Sequence, residues 1–224
     1  MNDAPIILAS RSPRRFELLS LLIEPARLIV RPPANGDEEG FEDCQTITAV
    51  EDRLLAIARA KRTAVRAEVV SGTDAVNLGR AAVLAADTTI VAESASGQFA
   101  VLGQPPKEGP SRPTVRRWFE EYYFARPHLA LTAVSVERAD GQVAEVVVST
   151  AVRFNRAAAG WLDWYLSTDE PDGKAGGYGI QGLASVFVNR VEGSLTNVVG
   201  LPLAETRQLL LDLELIQASG ERGA

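Results

Sequence analysis

Cysteine and histidine are nearly missing from this sequence, with one of each, Cys44 and His128, in 224 residues. A lone cysteine excludes an intrachain disulfide and fits a reducing compartment. Lying in a polar, acidic stretch, Cys44 reads as an incidental loop thiol. A lone histidine leaves little room for histidine-based triads or metal sites, and His128 reads as a strand-edge residue. No run approaches the roughly 20 apolar residues of a membrane span. The apolar run at Pro5–Ala9 is too short for a secretory core and no basic segment precedes it, so a cytoplasmic protein is expected. Positive charge is in deficit as well. With 23 Lys and Arg against 29 Asp and Glu, the net charge of −6 excludes a general binder of nucleic acid or anionic membrane. A local basic pocket for a small polyanion stays open.

What is present is enough for a core, at 46% hydrophobic residues. Ile6–Ala9 reads as a short strand buried on both faces. Ser12 and Pro13 then suit the N-cap and first position of a helix running to Leu22. Leu28–Val30 reads as a strand and Pro32–Gln45 as an acidic loop. Thr48 and Glu51 have capping-box spacing, and Val50, Leu54, Ile57, Ala58 and Val65 continue a helix to about Glu68. Ser71–Arg80 reads as a surface loop. Ala82–Ala92 is a central strand interrupted by Asp87-Thr88, followed by a turn at Ser94–Gln98 and a short strand at Phe99–Leu102. Thr114–Phe124 predicts an aromatic-faced helix, with Trp118, Tyr122 and Tyr123, like Trp161 and Trp164 further on, at core or interface positions. Leu129–Glu137 and Val143–Phe154 pair through an Asp140-Gly141 turn. Asn155 can cap a helix to Leu166, and a glycine-rich loop follows. Ser185–Val191 and Leu195–Val199 suggest a second hairpin. Pro202 starts a last helix with Leu203, Thr206, Leu209, Leu210 and Leu213 inward, and a frayed tail is expected from about residue 219. The alternation of helices and strands with late hairpins predicts an α/β fold built on a mixed sheet.

Several residues could carry chemistry. Arg14 and Arg15 lie on the opening turn of a helix that directly follows a strand, where free N–H groups and the helix dipole favour an anion. Their forked donors match phosphate oxygens. The alternative is a solvated basic turn, but arginine is electrostatically poor at a helix N-terminus unless something negative arrives. The Ser10-Arg11-Ser12-Pro13-Arg14-Arg15 stretch is not a Walker loop, which needs its Gly-Lys-Ser/Thr ending. Asp87, inside an apolar strand, is costly to bury unless paired, hydrogen-bonded or on a metal; it acts either as a base or cation ligand, or as a strand-end cap. Thr88 then points to the opposite face. Lys61 and Lys174 either neutralise phosphate or are ordinary surface lysines. Asp37, Glu38, Glu39 and Glu42 form an acidic cluster, either solvated or lending one carboxylate to a metal–phosphate complex.

Four ordered segments resemble the Maf family: Ala9–Arg15, Ala86-Asp87-Thr88, Lys174–Gly182 and Asn197–Leu203. The match spans about residues 5 to 215. The resemblance implies one domain over residues 1–224, with two lobes around a central cleft and a mixed twisted sheet flanked by helices, as in the inosine triphosphate pyrophosphatases. It also implies cleavage of the α–β phosphoanhydride of a nucleoside triphosphate, with a divalent cation, Mg²⁺ or Mn²⁺. Ser10, Ser12, Arg14, Arg15, Lys61 and Lys174 would hold the triphosphate. Asp87 would be the catalytic residue and, with Glu38, the metal ligand. The branch that prefers dTTP and UTP pairs Ser-Pro-Arg-Arg, Ala-Asp-Thr and Gly-Ile-Gln-Gly, as this chain does, so Arg14, Thr88 and Gln181 would select the base. The 7-methyl-GTP branch and a low-turnover regulator of septum formation are the alternatives. Partners implied are the nucleotide, no nucleic acid and no membrane, with room for a homodimer. The sequence departs from the family pattern at Gly103-Gln104-Pro105, where a lysine is usual, at Phe124-Ala125-Arg126-Pro127, at Gly173 and at Gly177; Glu38 or Glu39 is the equivalent of the family's acidic loop.

Overall fold

The computed structural model describes residues 4–34, 40–71, 78–106 and 111–217. Seven strands form one mixed, twisted sheet: β1 Ile6–Leu8, β2 Leu28–Val30, β3 Ala82–Glu93, β4 Phe99–Leu102, β5 His128–Glu137, β6 Val143–Phe154 and β7 Val188–Glu192. Their order is β2-β1-β3-β5-β6-β7, with β4 added to β3. β1 lies parallel to both neighbours and is wholly buried, which is why it reads as an uninterrupted apolar run. β5 and β6 join through Asp140-Gly141, where Gly141 takes a φ of +89°.

Helices cover both faces. α2, Ile47–Ser71, buries Val50, Leu54, Ile57, Ala58, Val65 and Val69. That stripe packs on Val83, Ala85, Val91, Leu131 and Ala133 of β3 and β5. Its start is capped by Thr46, whose hydroxyl accepts the Ala49 N–H at 3.2 Å, not by the expected Thr48, which already lies inside the first turn. On the other face, α1 (Pro13–Leu19) and α6 (Leu203–Asp212) bring Leu19, Leu209 and Leu210 onto Ile6, Leu84, Ala86 and Val134. Ser12 caps α1 and Pro13 opens it, as the sequence predicts. No described helix is long and apolar enough to cross a membrane.

A third core lies where α3 (Ser111–Trp118), its π-helical continuation Phe119–Tyr123 and α4 (Leu162–Leu166) close over the ends of β5 and β6. Phe119 sits at its centre, with the rings of Tyr123, Phe124, Phe154, Tyr165 and Phe187 at 5.1–5.8 Å. Most of these contacts are edge-on or tilted, the arrangement that ring quadrupoles favour.

Three expectations need correction. Leu195–Val199 is a helix, α5, not a hairpin strand. Ser194 captures the Asn197 N–H at 3.2 Å and Gly200 ends the helix, so two local caps override a β-branched run. The segment before β7 is a 3-10 turn, Leu183–Phe187, rather than strand. Cys44 is buried beside Val50, Leu54 and Val91, and burial raises its thiol pKa. The tail from 219 lies outside the described residues.

His128 also differs from expectation. It begins β5 fully inside the aromatic core, 2.8 Å through Nε2 from the Tyr178 hydroxyl and 4.2 Å ring to ring from Tyr123. Burial pushes its pKa down to about 3. The native imidazole therefore stays neutral where an unfolded chain, with a pKa near 6.5, takes up a proton. Stability is present above that value and falls as pH drops toward 3, by about 1.4 kcal/mol per pH unit. Urea unfolding at pH 6.5 and pH 5 checks this: the native protein should lose about 2 kcal/mol more than His128→Gln over that interval.

Candidate active site

The site grows from the way β3 is covered. Along one edge it pairs with β5 without a break from Val83 to Val91. Along the other, β1 stops at Leu84, extended by the Ala9 N–H to Leu84 carbonyl bond of 2.8 Å, and β4 begins only at Ile90. Between them the edge of β3 at residues 86–89 carries no strand, and Asp87 and Thr88 lie in that gap. Strand alternation sends their side chains to opposite faces.

Asp87 turns to the α2 side. Lys61 follows Ile57 and Ala58 on the buried stripe of α2, so helical spacing aims it at the sheet. Its Nζ donates to Asp87 Oδ1 at 2.6 Å, and each side chain is 13% exposed. Thr88 turns to the α1 side, where its hydroxyl lies 3.0 Å from that of Thr132 and accepts from Arg15 Nη2 at 3.1 Å.

The two adjacent arginines do different things. Arg15 donates from Nε to the Gly200 carbonyl at 3.0 Å and from Nη1 to Ser10 Oγ at 3.2 Å, besides its bond to Thr88. It ties the opening turn, β3 and the end of α5 together. Arg14 donates from Nε to the Val199 carbonyl at 3.3 Å. Among the described residues its terminal nitrogens have no hydrogen-bond partner. Burial lowers its pKa, with Glu17 opposing. Ser12 holds the Arg14 N–H at 3.4 Å, and Ser10 accepts the Ser12 N–H at 3.2 Å.

Lys174 completes the cationic side. Its Nζ donates to the Glu170 carbonyl at 2.5 Å, and its pKa is lowered by burial and then by repulsion from Arg14. Its stem lies against Gly179, where an added Cβ would meet Lys174 Cε at 3.1 Å and Gln181 Oε1 at 3.6 Å. Gln181 itself is exposed. Arg14 and Lys174 thus lie close enough to repel one another, and among the described residues neither forms an ion pair, although Glu17 acts on Arg14 and Glu170 and Asp172 act on Lys174; two neighbouring cations suit a multiply charged anion.

The glycine-rich loop rests on aromatic hydroxyls that sequence reasoning did not connect to it. Tyr123 donates to the Gly176 carbonyl at 2.9 Å and Tyr165 to that of Gly177 at 3.0 Å. Both glycines have φ near +70°, and Gly176 donates its N–H to the Gly103 carbonyl at 2.9 Å. Glu170, also missed, accepts the Leu183 and Ala184 N–H groups at 2.5 and 2.9 Å and so caps the turn after Gln181. Gln104 is exposed beside Gly103. Glu38 and Glu39 lie outside the described residues, as does Lys107. Among the described residues no three His, Cys, Asp or Glu side chains converge as a ready metal cage. Asp87 offers one carboxylate, its Oδ1 held by Lys61, which fits a hard divalent cation whose other ligands are phosphate oxygens and water.

The Maf-like protein family profile matches residues 5–213. A dTTP/UTP pyrophosphatase of Anaeromyxobacter dehalogenans strain 2CP-C is 41% identical over 208 residues, covering 92% of each chain. A protein of the same name from Burkholderia pseudomallei strain 1710b is 39% identical over 206 residues, 92% of this chain and 91% of that one. Among solved structures, the Ham1 protein of Staphylococcus aureus superposes with a TM-score of 0.40 at 10% identity, covering 68% of this chain and 72% of that one.

The close fit of the loop can be measured. A Cβ at Gly176 would stand 2.5 Å from the Tyr123 hydroxyl and 2.6 Å from Ile90 Cγ1, at a φ of +70°. Gly176→Ala should cost about 3 kcal/mol in urea unfolding, from backbone strain plus overpacking. Gly141→Ala, with a positive φ but open space around it, should cost only about 1 kcal/mol.

Proposed function

The chain belongs to the Maf-like protein family, and on that premise we propose that it is a nucleoside triphosphate pyrophosphatase acting on dTTP and UTP. The observation that carries the reading is the closeness of Arg14 and Lys174, two part-buried cations that repel one another and that form no ion pair among the described residues, with Glu17, Glu170 and Asp172 as the nearby carboxylates. A triphosphate suits such a pair, since its oxygens accept from a guanidinium fork and an ammonium together.

In this reading Arg14 and Lys174 bind phosphate oxygens. Arg15 holds the turn that presents Arg14, together with Ser10 and Ser12. Asp87, kept in place by Lys61, accepts a proton from the attacking water as the α–β anhydride opens to monophosphate and pyrophosphate. The cations stabilise the charge that builds on the leaving pyrophosphate. Asp87 with Glu38 would hold Mg²⁺ or Mn²⁺, which when bound offsets phosphate charge. Gln181 carries both an amide donor and an acceptor at the exposed end of the loop, suited to the edge of a pyrimidine base. Thr88 shares its hydroxyl with Arg15 and Thr132, so it influences selection through Arg15. The cytoplasm, where nucleoside triphosphates are made and used, is the site of action in this reading.

Pyrophosphate release from a nucleotide panel with Mg²⁺ or Mn²⁺ tests it. Turnover of dTTP and UTP above the purine nucleotides and 7-methyl-GTP is expected. Asp87→Asn should lower kcat by about 10²–10⁴-fold, the range for loss of a general base. Unchanged turnover in Asp87→Asn would remove the assignment, and nucleotide binding without release would replace the enzyme with a binding protein.

A further inference from the structure

The Asn197–Leu203 segment has no part in the reading above, yet its carbonyls hold both arginines. α5 ends at Val199, and the last carbonyls of a helix lack partners within it and carry partial negative charge. Here Val199 accepts from Arg14 Nε and Gly200 from Arg15 Nε. The bond at Nε leaves Arg14 its two terminal nitrogens for phosphate oxygens. Where these carbonyls sit depends on how α5 is docked, and one side chain ties it to both β5 and β6. Asn197 is completely buried. Its Nδ2 reaches the Ala130 carbonyl at 2.9 Å on β5, and the Val148 carbonyl and Thr150 Oγ1 at 3.2 and 3.0 Å on β6. Its backbone carbonyl accepts the Thr132 hydroxyl at 3.2 Å, which in turn meets Thr88 and, through it, Arg15. Its side-chain oxygen is buried with no partner among the described residues. The amide is thus held for its donors alone.

We propose that Asn197 is a positioning residue for the phosphate-binding arginines. By locking α5 across β5 and β6 it sets the Val199 and Gly200 carbonyls, and these aim Arg14 and Arg15. The inference rests on the reading of Arg14 as a triphosphate ligand. Asn197 touches neither arginine side chain by any hydrogen bond and acts only through the backbone of α5.

The test uses inorganic tripolyphosphate, which has the anion without a base, as a competitive inhibitor alongside dTTP turnover. Asn197→Ala should raise the KM for dTTP and the Ki for tripolyphosphate together, about tenfold, with kcat changed less than about twofold. A residue that only stabilises the fold would lower the melting temperature and leave the inhibition constant of the folded fraction where it was. Added to Arg14→Ala, Asn197→Ala should change Ki by less than about twofold, because residues acting through one contact are not additive. Should Asn197→Ala fail to fold, Thr150→Val decides. It removes one acceptor of the same amide at a distance from the arginines and should raise both constants about threefold. Unchanged constants in the folded variants, or full multiplication of effects in the double variant, would overturn the proposal. If Arg14→Ala alone leaves both constants unchanged, the fault lies in the assignment of Arg14, and this inference goes with it.

Discussion

The break in the edge of β3 is the constraint on which the site depends. A continuous partner along that edge would seal residues 86–89 inside the sheet. An aspartate there would then need burial without solvent or ligand, at a cost of several kcal/mol. β1 and β4 share the edge and stop short of each other, and Asp87 sits in mid-strand between them, satisfied by Lys61 and 13% exposed. At the same break, groups gather on both faces of the sheet: Lys61 and Asp87 on the α2 side, Ser10, Arg15 and Thr88 on the α1 side.

The aromatic core plays a second part besides stability. Its buried hydroxyls must find acceptors, and the carbonyls of Gly176 and Gly177 supply them. The loop that ends in Gln181 is thereby fixed to the aromatic core. Glycine is required there because Tyr123, Ile90 and Val115 come too close for any side chain. The exposed amide of Gln181 thus stands on a rigid support.

Much of this was legible in the sequence, and the parts that were not have physical reasons. The capped start of α1, the long β3, the Asp140-Gly141 hairpin and the inward face of α6 follow from local spacing and turn chemistry. Lys61 was readable as a ligand of Asp87 only once the helical stripe and the strand were set together. Arg14 and Arg15 look alike in sequence; their different duties come from the carbonyls of Val199 and Gly200, 185 residues away. Leu195–Val199 has the composition of a strand, and only the hydroxyl of Ser194 and the turn at Gly200 make it a helix. Cys44 has acidic neighbours in sequence, while its neighbours in space come from α2 and β3. The support given by Tyr123, Tyr165 and Glu170 depends on approaches between distant segments, which no periodicity records.

The bond from Arg15 to the Gly200 carbonyl joins the first turn of the chain to its last fifth. During synthesis the N-terminal motif emerges early, and Ser10 and Thr88 are made long before the Gly200 carbonyl that completes the bracing of Arg15. Chains grow at about 5–20 residues per second. For roughly ten seconds or more, then, each nascent chain carries the Arg14-Arg15 turn without the carbonyls of Val199 and Gly200. The final shape of the Arg14-Arg15 turn is for that reason a property of the finished molecule.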